Sequence, residues 1–164
     1  MALHPSAQRV ADAAAELGLD IAIVTFEETT RTAVDAAAAI GCTVGQIVKS
    51  LVFTVNEQPL IALVSGSNQL ETRKLAELLG VGRKQVKRAN ADIVRSATGY
   101  AIGGVPPFGH ATALPVYVDR DLTDYVTVWA AAGTPNTVFE ITPAALIQAT
   151  DGIVADLAAE PSEA

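Results

Sequence analysis

The 164-residue sequence has one cysteine, Cys42, two histidines, His4 and His110, and one tryptophan. A lone cysteine excludes an internal disulfide and fits a reducing compartment, so a cytoplasmic protein is expected. Three scattered His and Cys residues are too few for a zinc set, and no Walker-type glycine–lysine pattern occurs. No Ser-His-Asp or Cys-His arrangement is evident, which argues against a covalent intermediate, and no cofactor is expected. No apolar run approaches the roughly 20 residues that cross a bilayer. The start, Met1 to Ser6, lacks a basic stretch followed by an apolar one, so neither a signal peptide nor a membrane partner is expected.

Half of the residues are apolar and the mean hydropathy is +0.33, enough for a real core. The expectation is one domain over residues 1–157 with a flexible tail over 158–164. Pro5 and Ser6 open a helix that Gly18 ends, and Ile21 to Phe26 reads as a strand. Thr32 with Asp35 resembles a capping box for an alanine-rich helix that stops at Gly41, and Thr43 with Gln46 repeats it for a single turn. Ser50 to Val55 and Leu60 to Ser65 read as a hairpin around 56–59. A helix over about 70–79, a short strand over 86–89 and a helix capped by Asn90 or Asp92 follow. Strands are expected over 113–119, 125–131 and 137–141, with Thr142-Pro143 opening the last helix. Strands outnumber helices and several neighbours are joined by short turns. That pattern predicts a mixed α+β fold: a largely antiparallel sheet or partly closed barrel with helices outside, not a Rossmann layout.

The net charge of −7 argues at first against a nucleic-acid partner. Its distribution reverses that argument. Arg73, Lys74, Arg83, Lys84, Lys87 and Arg88 are six of the eleven basic residues, and only Glu77 opposes them within that segment. A basic stripe on an acidic body can follow a phosphate backbone, or it can be a solvated helix face and loop. It holds no aromatic residue, so it suits phosphate contact rather than base stacking.

Two other segments carry chemistry. Gly103-Gly104-Val105-Pro106-Pro107-Phe108-Gly109 packs three glycines and two prolines into seven residues. Glycine permits close backbone approach while proline fixes φ and removes a donor, so the segment reads as a stiff loop with bare amides, or as an ordinary tight connection. Lys49 sits at the mouth of an otherwise apolar strand. Its stem can lie along apolar surface at an edge, or its charge can serve a phosphate or carboxylate at a pocket rim.

Gln46-Ile-Val-Lys-Ser-Leu-Val-Phe53 and the Gly103–Gly109 segment, taken together and in this order, resemble the YbaK/ProX family of aminoacyl-tRNA editing proteins, related to the editing domain of bacterial prolyl-tRNA synthetase. The resemblance runs from about Gln8 to Leu157 and includes Thr32-Ala33, Ser65-Gly66-Ser67-Asn68, and Asp119 with Leu122. It implies a trans-acting deacylase that hydrolyses the ester of mischarged tRNA, most often tRNA for proline. Such a second sieve is needed because a synthetase pocket discriminates a methylene by only ~1–3 kcal/mol. The family's lysine falls on Lys49 and its Gly-x-x-x-Pro motif on Gly103 to Pro107. The amides of Gly103, Gly104 and Val105 would hold the carbonyl and the developing oxyanion, with a ribose hydroxyl of the substrate placing water. The resemblance further implies a substrate-binding set of Phe26, Thr32, Ser65, Gly66, Pro106, Pro107, Phe108, His110 and Ala131. His110 reads equally as a surface residue after a turn.

Departures from the family pattern bear on specificity. Ala131 stands where the cysteine-editing branch has a hydroxyl and the alanine-editing branch a histidine. Val138 stands in place of an acid and Phe26 in place of a tyrosine. A more apolar pocket follows, which argues against cysteine and alanine as the amino acid removed. Aminoacylated tRNA is the expected partner, with prolyl-tRNA synthetase as an optional second and no DNA. The alternatives are a non-catalytic module that binds aminoacyl-tRNA or an amino acid, and a synthetase-docking domain whose basic stripe meets an acidic protein surface.

Overall fold

The computed structural model describes residues 3–27 and 32–160. Helix α1 (Pro5–Glu16) starts with proline in its first turn and with His4 Nδ1 accepting from the Ser6 amide at 3.0 Å. Strand β1 (Ile23–Thr25) and helix α2 (Ala33–Ile40) follow. Thr32 caps α2 by accepting from the Asp35 amide, and Gly41 ends it in the left-handed region that favours glycine.

Strands β2 (Val48–Val55) and β3 (Gln58–Ser65) form the hairpin. Its turn is the two residues Asn56 and Glu57, both at positive φ, so Gln58 and Pro59 belong to β3 rather than to the loop expected over 56–59. Two left-handed residues in a two-residue turn match the twist of the strands they join. Helix α3 (Thr72–Leu79), strand β4 (Val86–Arg88) and helix α4 (Ala91–Thr98) follow, with Asn90 as the α4 cap. Strands β5 (Val116–Asp119) and β6 (Val128–Ala131) are shorter than the runs expected over 113–119 and 125–131, whereas β7 (Thr137–Ile141) spans the expected residues. A 3-10 turn over Arg120–Asp124 delays β6. Helix α5 (Pro143–Thr150) and strand β8 (Ile153–Ala155) complete the order.

The strands make two sheets. One is antiparallel, in the order β1-β7-β6, and the other is mixed, in the order β4-β2-β3-β5-β8. In the second, β2 pairs antiparallel with β3 and β4, whereas β3–β5 and β5–β8 are parallel. The barrel alternative does not form. Among the described residues the sheets join through a single bridge, Ile47 to Trp129, beside which Gln46 Nε2 donates to the Thr127 carbonyl at 3.1 Å. Past that bridge no ladder links β2 to β6, so the two sheets part instead of closing.

Strand alternation sends Ile61 and Leu63 into a core shared with Val10, Val105, Val128 and Phe139. Leu60, Ala62 and Val64 enter a second core with Phe53, Leu75 and Leu157. Both faces of β3 are therefore covered, which explains its unbroken apolar run from Leu60 to Val64. Ala158 bridges Leu70, and the Ala159 amide donates to Gln69. Residues 161–164 of the expected tail lie outside the described residues.

Candidate active site

The parting of the sheets leaves a cavity of about 480 Å³. Lys49 from β2, Gly103 and Val105 from the loop after α4, Thr32, Gly66 and Ala131 reach its wall, as does Arg88 of the basic stripe. Residues far apart in the chain thus meet on one concave surface.

Lys49 is half-buried, and its ammonium donates to the Asn68 carbonyl. The Asn68 side chain donates in turn to Asp119 Oδ2 at 2.9 Å and Asp121 Oδ2 at 2.8 Å. Asp119 is buried and accepts also from the Ser65 and Asp121 amides, both at 3.0 Å. Burial draws the Lys49 ammonium below the ordinary lysine range; the Asp119 charge opposes that, and Arg88 adds to it.

The glycine–proline loop is stiff for reasons visible on both sides. Gly103 has φ +92°. A Cβ on Gly104 would lie 2.8 Å from the main chain of Gly133, so only glycine allows the two loops to touch there. Behind them Val105 to Phe108 are buried, and the Phe108 ring packs against Phe139 at 5.5 Å. His110 Nε2 lies 2.6 Å from the Pro106 carbonyl, which can only accept, so the ring donates through Nε2. Burial pushes the His110 pKa down, with that hydrogen bond opposing.

The expected site residues separate into those that reach the cavity and those that hold its walls. The Gly104 amide donates to the Ala101 carbonyl at 3.0 Å, which takes it out of the expected trio of donors. The amides of Gly103 and Val105 have no partner among the described residues. Phe26, Ser65, Pro106, Pro107, Phe108 and His110 do not line the cavity. Ser65 Oγ donates to the Gly45 carbonyl at 2.6 Å, and Phe26 is tied to Asn136 through its amide and carbonyl.

The basic stripe is divided as well. Lys74 meets Asp156 at 2.9 Å, Glu160 at 3.4 Å and the Ala158 carbonyl at 2.6 Å. The carboxylate hydrogen bonds raise its pKa. It latches the C-terminal segment instead of standing free for a phosphate. Arg73, Arg83, Lys84 and Lys87 are exposed, with Arg83 Nε at 3.5 Å from Thr72 Oγ1. The Arg88 guanidinium lies 5.6 Å from the Phe53 ring centroid.

Sequence reasoning missed Trp129, Ile102, Val34 and Pro135, all on the cavity wall. Ile102 and Val34 are 57% and 62% exposed, large apolar side chains left at the mouth. The signal available for Ile102 was an apolar residue set directly before paired glycines. Arg88 and Lys49 are the only charged side chains on the described wall; it carries no carboxylate. The arrangement offers main-chain donors and cations to an oxygen-rich group, and an apolar recess formed by Ile47, Trp129, Ala131 and Val138.

Comparison with known proteins agrees with this fold. Residues 27–149 match the family model described as an aminoacyl-tRNA editing domain. A candidate Cys-tRNA(Pro)/Cys-tRNA(Cys) deacylase, EbsC, of Enterococcus faecalis is 29% identical over 133 residues, which is 80% of either chain. The proline–tRNA ligase of Thermoanaerobacter sp. is 28% identical over 97 residues, 59% of this chain and 17% of the ligase. A crystal structure of a candidate trans-editing enzyme for prolyl-tRNA synthetase superposes with a TM-score of 0.91 at 46% identity, covering 97% of this chain and all of the other. The deacylase expectation and the α+β architecture agree with these relatives. With the fold and the matched residues in accord, the chain belongs to the aminoacyl-tRNA editing domain family.

Proposed function

We propose that this protein is a trans-acting aminoacyl-tRNA deacylase that hydrolyses the ester of mischarged tRNA, with tRNA for proline as the adaptor. One observation supports the reading: Lys49, Gly103 and Val105 line the same cavity, and the amides of Gly103 and Val105 have no partner among the described residues. The ester is already activated, so the main task is to hold its carbonyl and stabilise the oxyanion that forms when water attacks. Gly103 and Val105 supply two donors for that charge. Lys49 supplies a cation for a phosphate near the tRNA end or for orienting the ester. We read it as a fixed charge rather than a general base, which its donation to the Asn68 carbonyl supports. A ribose hydroxyl of the substrate places the attacking water. Arg73, Arg83, Lys84, Lys87 and Arg88 are the remaining phosphate contacts.

The walls of Ile47, Trp129, Ala131 and Val138 favour an apolar amino-acid side chain over one that needs a polar partner. The same walls favour the second reading, a module that binds aminoacyl-tRNA without turnover, because Ala131 and Val138 bring no acid or hydroxyl to the site. Prolyl-tRNA synthetase is the proposed protein partner. The test is deacylation of tRNA for proline carrying cysteine, alanine, serine, threonine or 2-aminobutyrate, each beside its cognate tRNA. Multiple turnover on at least one is expected. Saturable binding with every ester intact would replace the deacylase with the binding module.

A further inference from the structure

A cavity resting on one face of a sheet touches every second residue of a strand, because side chains alternate between faces. This cavity touches Ile47, Val48, Lys49, Ser50 and Leu51 without a gap, and Trp129, Ala130 and Ala131 likewise. Uninterrupted runs mean that it lies against strand edges. The pairings agree. β4 covers β2 only at Phe53–Val55, followed by the Ala89 amide on the Val52 carbonyl at 3.0 Å. From there to the Ile47–Trp129 bridge no described strand pairs with that edge. β6 is itself the outer strand of the other sheet.

The direction of the main-chain groups follows from the ladders. The Gly66 amide takes the Ile47 carbonyl on the β3 side, and Ala89 takes Val52 on the other. In an antiparallel ladder these directions alternate, so Ser50 aims its N–H and C=O away from β3 and into the slot. On β6 the Ala132 amide bonds Thr137 on the β7 side, so Ala131 aims its own pair outward. Ser50 Oγ is buried and has no hydrogen-bond partner, so the side chain does not fold back to satisfy this edge. Two strand edges thus offer carbonyls to a slot whose described walls hold two cations and no carboxylate.

We propose that this slot seats the α-amino group of the aminoacyl ester, read by the main-chain carbonyls of Ser50 and Ala131. The inference rests on the deacylase reading and adds the group by which the substrate is recognised. A free α-amine has a pKa of about 8 and brings several donors; with no acid on the described wall, unpaired carbonyls are the acceptors suited to it. Lys49 and Arg88 on the same wall suit phosphate and ester oxygens. Main-chain recognition reads the amine that every amino acid shares, leaving Ile47, Trp129 and Val138 to judge the side chain.

Two measurements test it on the intact protein. The first compares the aminoacyl-tRNA cleaved fastest in the panel with its 2-hydroxyacyl counterpart, made by nitrous acid deamination. Loss of one or two hydrogen bonds should raise KM about tenfold or more while kcat stays within about threefold. The second titrates carbonyl-13C, 15N-labelled protein with the 3′-aminoacylamino-3′-deoxyadenosine that carries the amino acid cleaved fastest, whose amide replaces the ester. The Ser50 and Ala131 carbonyl resonances should move, along with the amides of Leu51 and Ala132. An equal KM for the hydroxyacyl substrate, or stationary resonances at saturation, overturns the proposal. So does a lack of analogue binding by protein that turns over the aminoacyl-tRNA. If no aminoacyl-tRNA in the panel is cleaved, the deacylase reading itself fails, whatever the resonances do.

Discussion

Lys49 and Lys74 both donate to a main-chain carbonyl, yet their surroundings give them opposite character. Lys49 leans on Asn68 at the cavity wall with no carboxylate in contact, and burial lowers its pKa. Lys74 joins two carboxylates and the Ala158 carbonyl on the outside of α3, and its pKa is raised. In the proposed function the first is a charge held for a substrate. The second is already spent on the fold. Counting lysines along the chain cannot separate these cases, because Asp156 and Glu160 lie far from Lys74 in sequence.

The sharpest way to break the contrast is Lys49→Ala. It should lower kcat/KM for deacylation by about 10²-fold or more, comparable to removing one donor from an oxyanion hole. Thermal stability should hold, since the variant removes a half-buried cation that burial disfavours. Equal activity would place Lys49 beside Lys74 as structural. Next in size is Gly104→Ala, whose Cβ would meet Gly133 main chain at 2.8 Å. Overpacking of that kind costs about 1–3 kcal/mol, measurable by denaturant unfolding, and the displaced loop should lower turnover as well. A variant of native stability would mean that the two loops can move apart.

Charge reversal at Lys84 and Lys87 should weaken tRNA binding several-fold. It should also flatten the salt dependence by about 0.7–0.9 for each phosphate that is no longer neutralised. An unchanged affinity would mean that the outer stripe does not meet tRNA. A smaller effect is expected at His110. Its folded pKa is lowered, so the unfolded chain binds more protons between that value and about 6.5. Stability from the neutral ring is therefore complete above this window and is lost as pH falls through it. His110→Gln should remove that slope in acid unfolding titrations; a slope that persists assigns it to other groups. Smallest of all, Lys74→Gln should leave turnover and tRNA affinity unchanged and lower Tm only slightly, as exposed ion pairs contribute little. A clear drop in tRNA affinity would return Lys74 to the phosphate-binding set.

Local chemistry was legible in the sequence. Thr32, Asn90 and Thr142 each announce a helix by a side chain that accepts from an amide three residues on, and all three do so in the structure. Lys49 and the glycine–proline loop stood out for the same reason: an unusual residue type in an apolar or tight setting. Relations between distant segments were not legible. The parallel pairing of β3 with β5 and of β5 with β8 leaves no short-range mark. Nor could composition show that Gly104 owes its identity to Gly133, or that its amide is taken by Ala101. Trp129 read simply as part of a strand, because its place on the wall depends on where two sheets part.

Helix α1 precedes the matched editing region, which begins at residue 27. Even so, the backbone of the loop touching Gly104 rests on it. A Cβ on Gly133 would strike Ser6 main chain at 2.6 Å, and one on Gly109 would strike Ala13 at the same distance. Arg9 reaches over as well, donating to the Gly99 carbonyl at 3.0 Å with its guanidinium 4.5 Å from the Tyr100 ring centroid. The first helix is thus a buttress for the cavity wall, and trimming the protein to its recognisable domain limits would remove the support while sparing every described residue that lines the cavity.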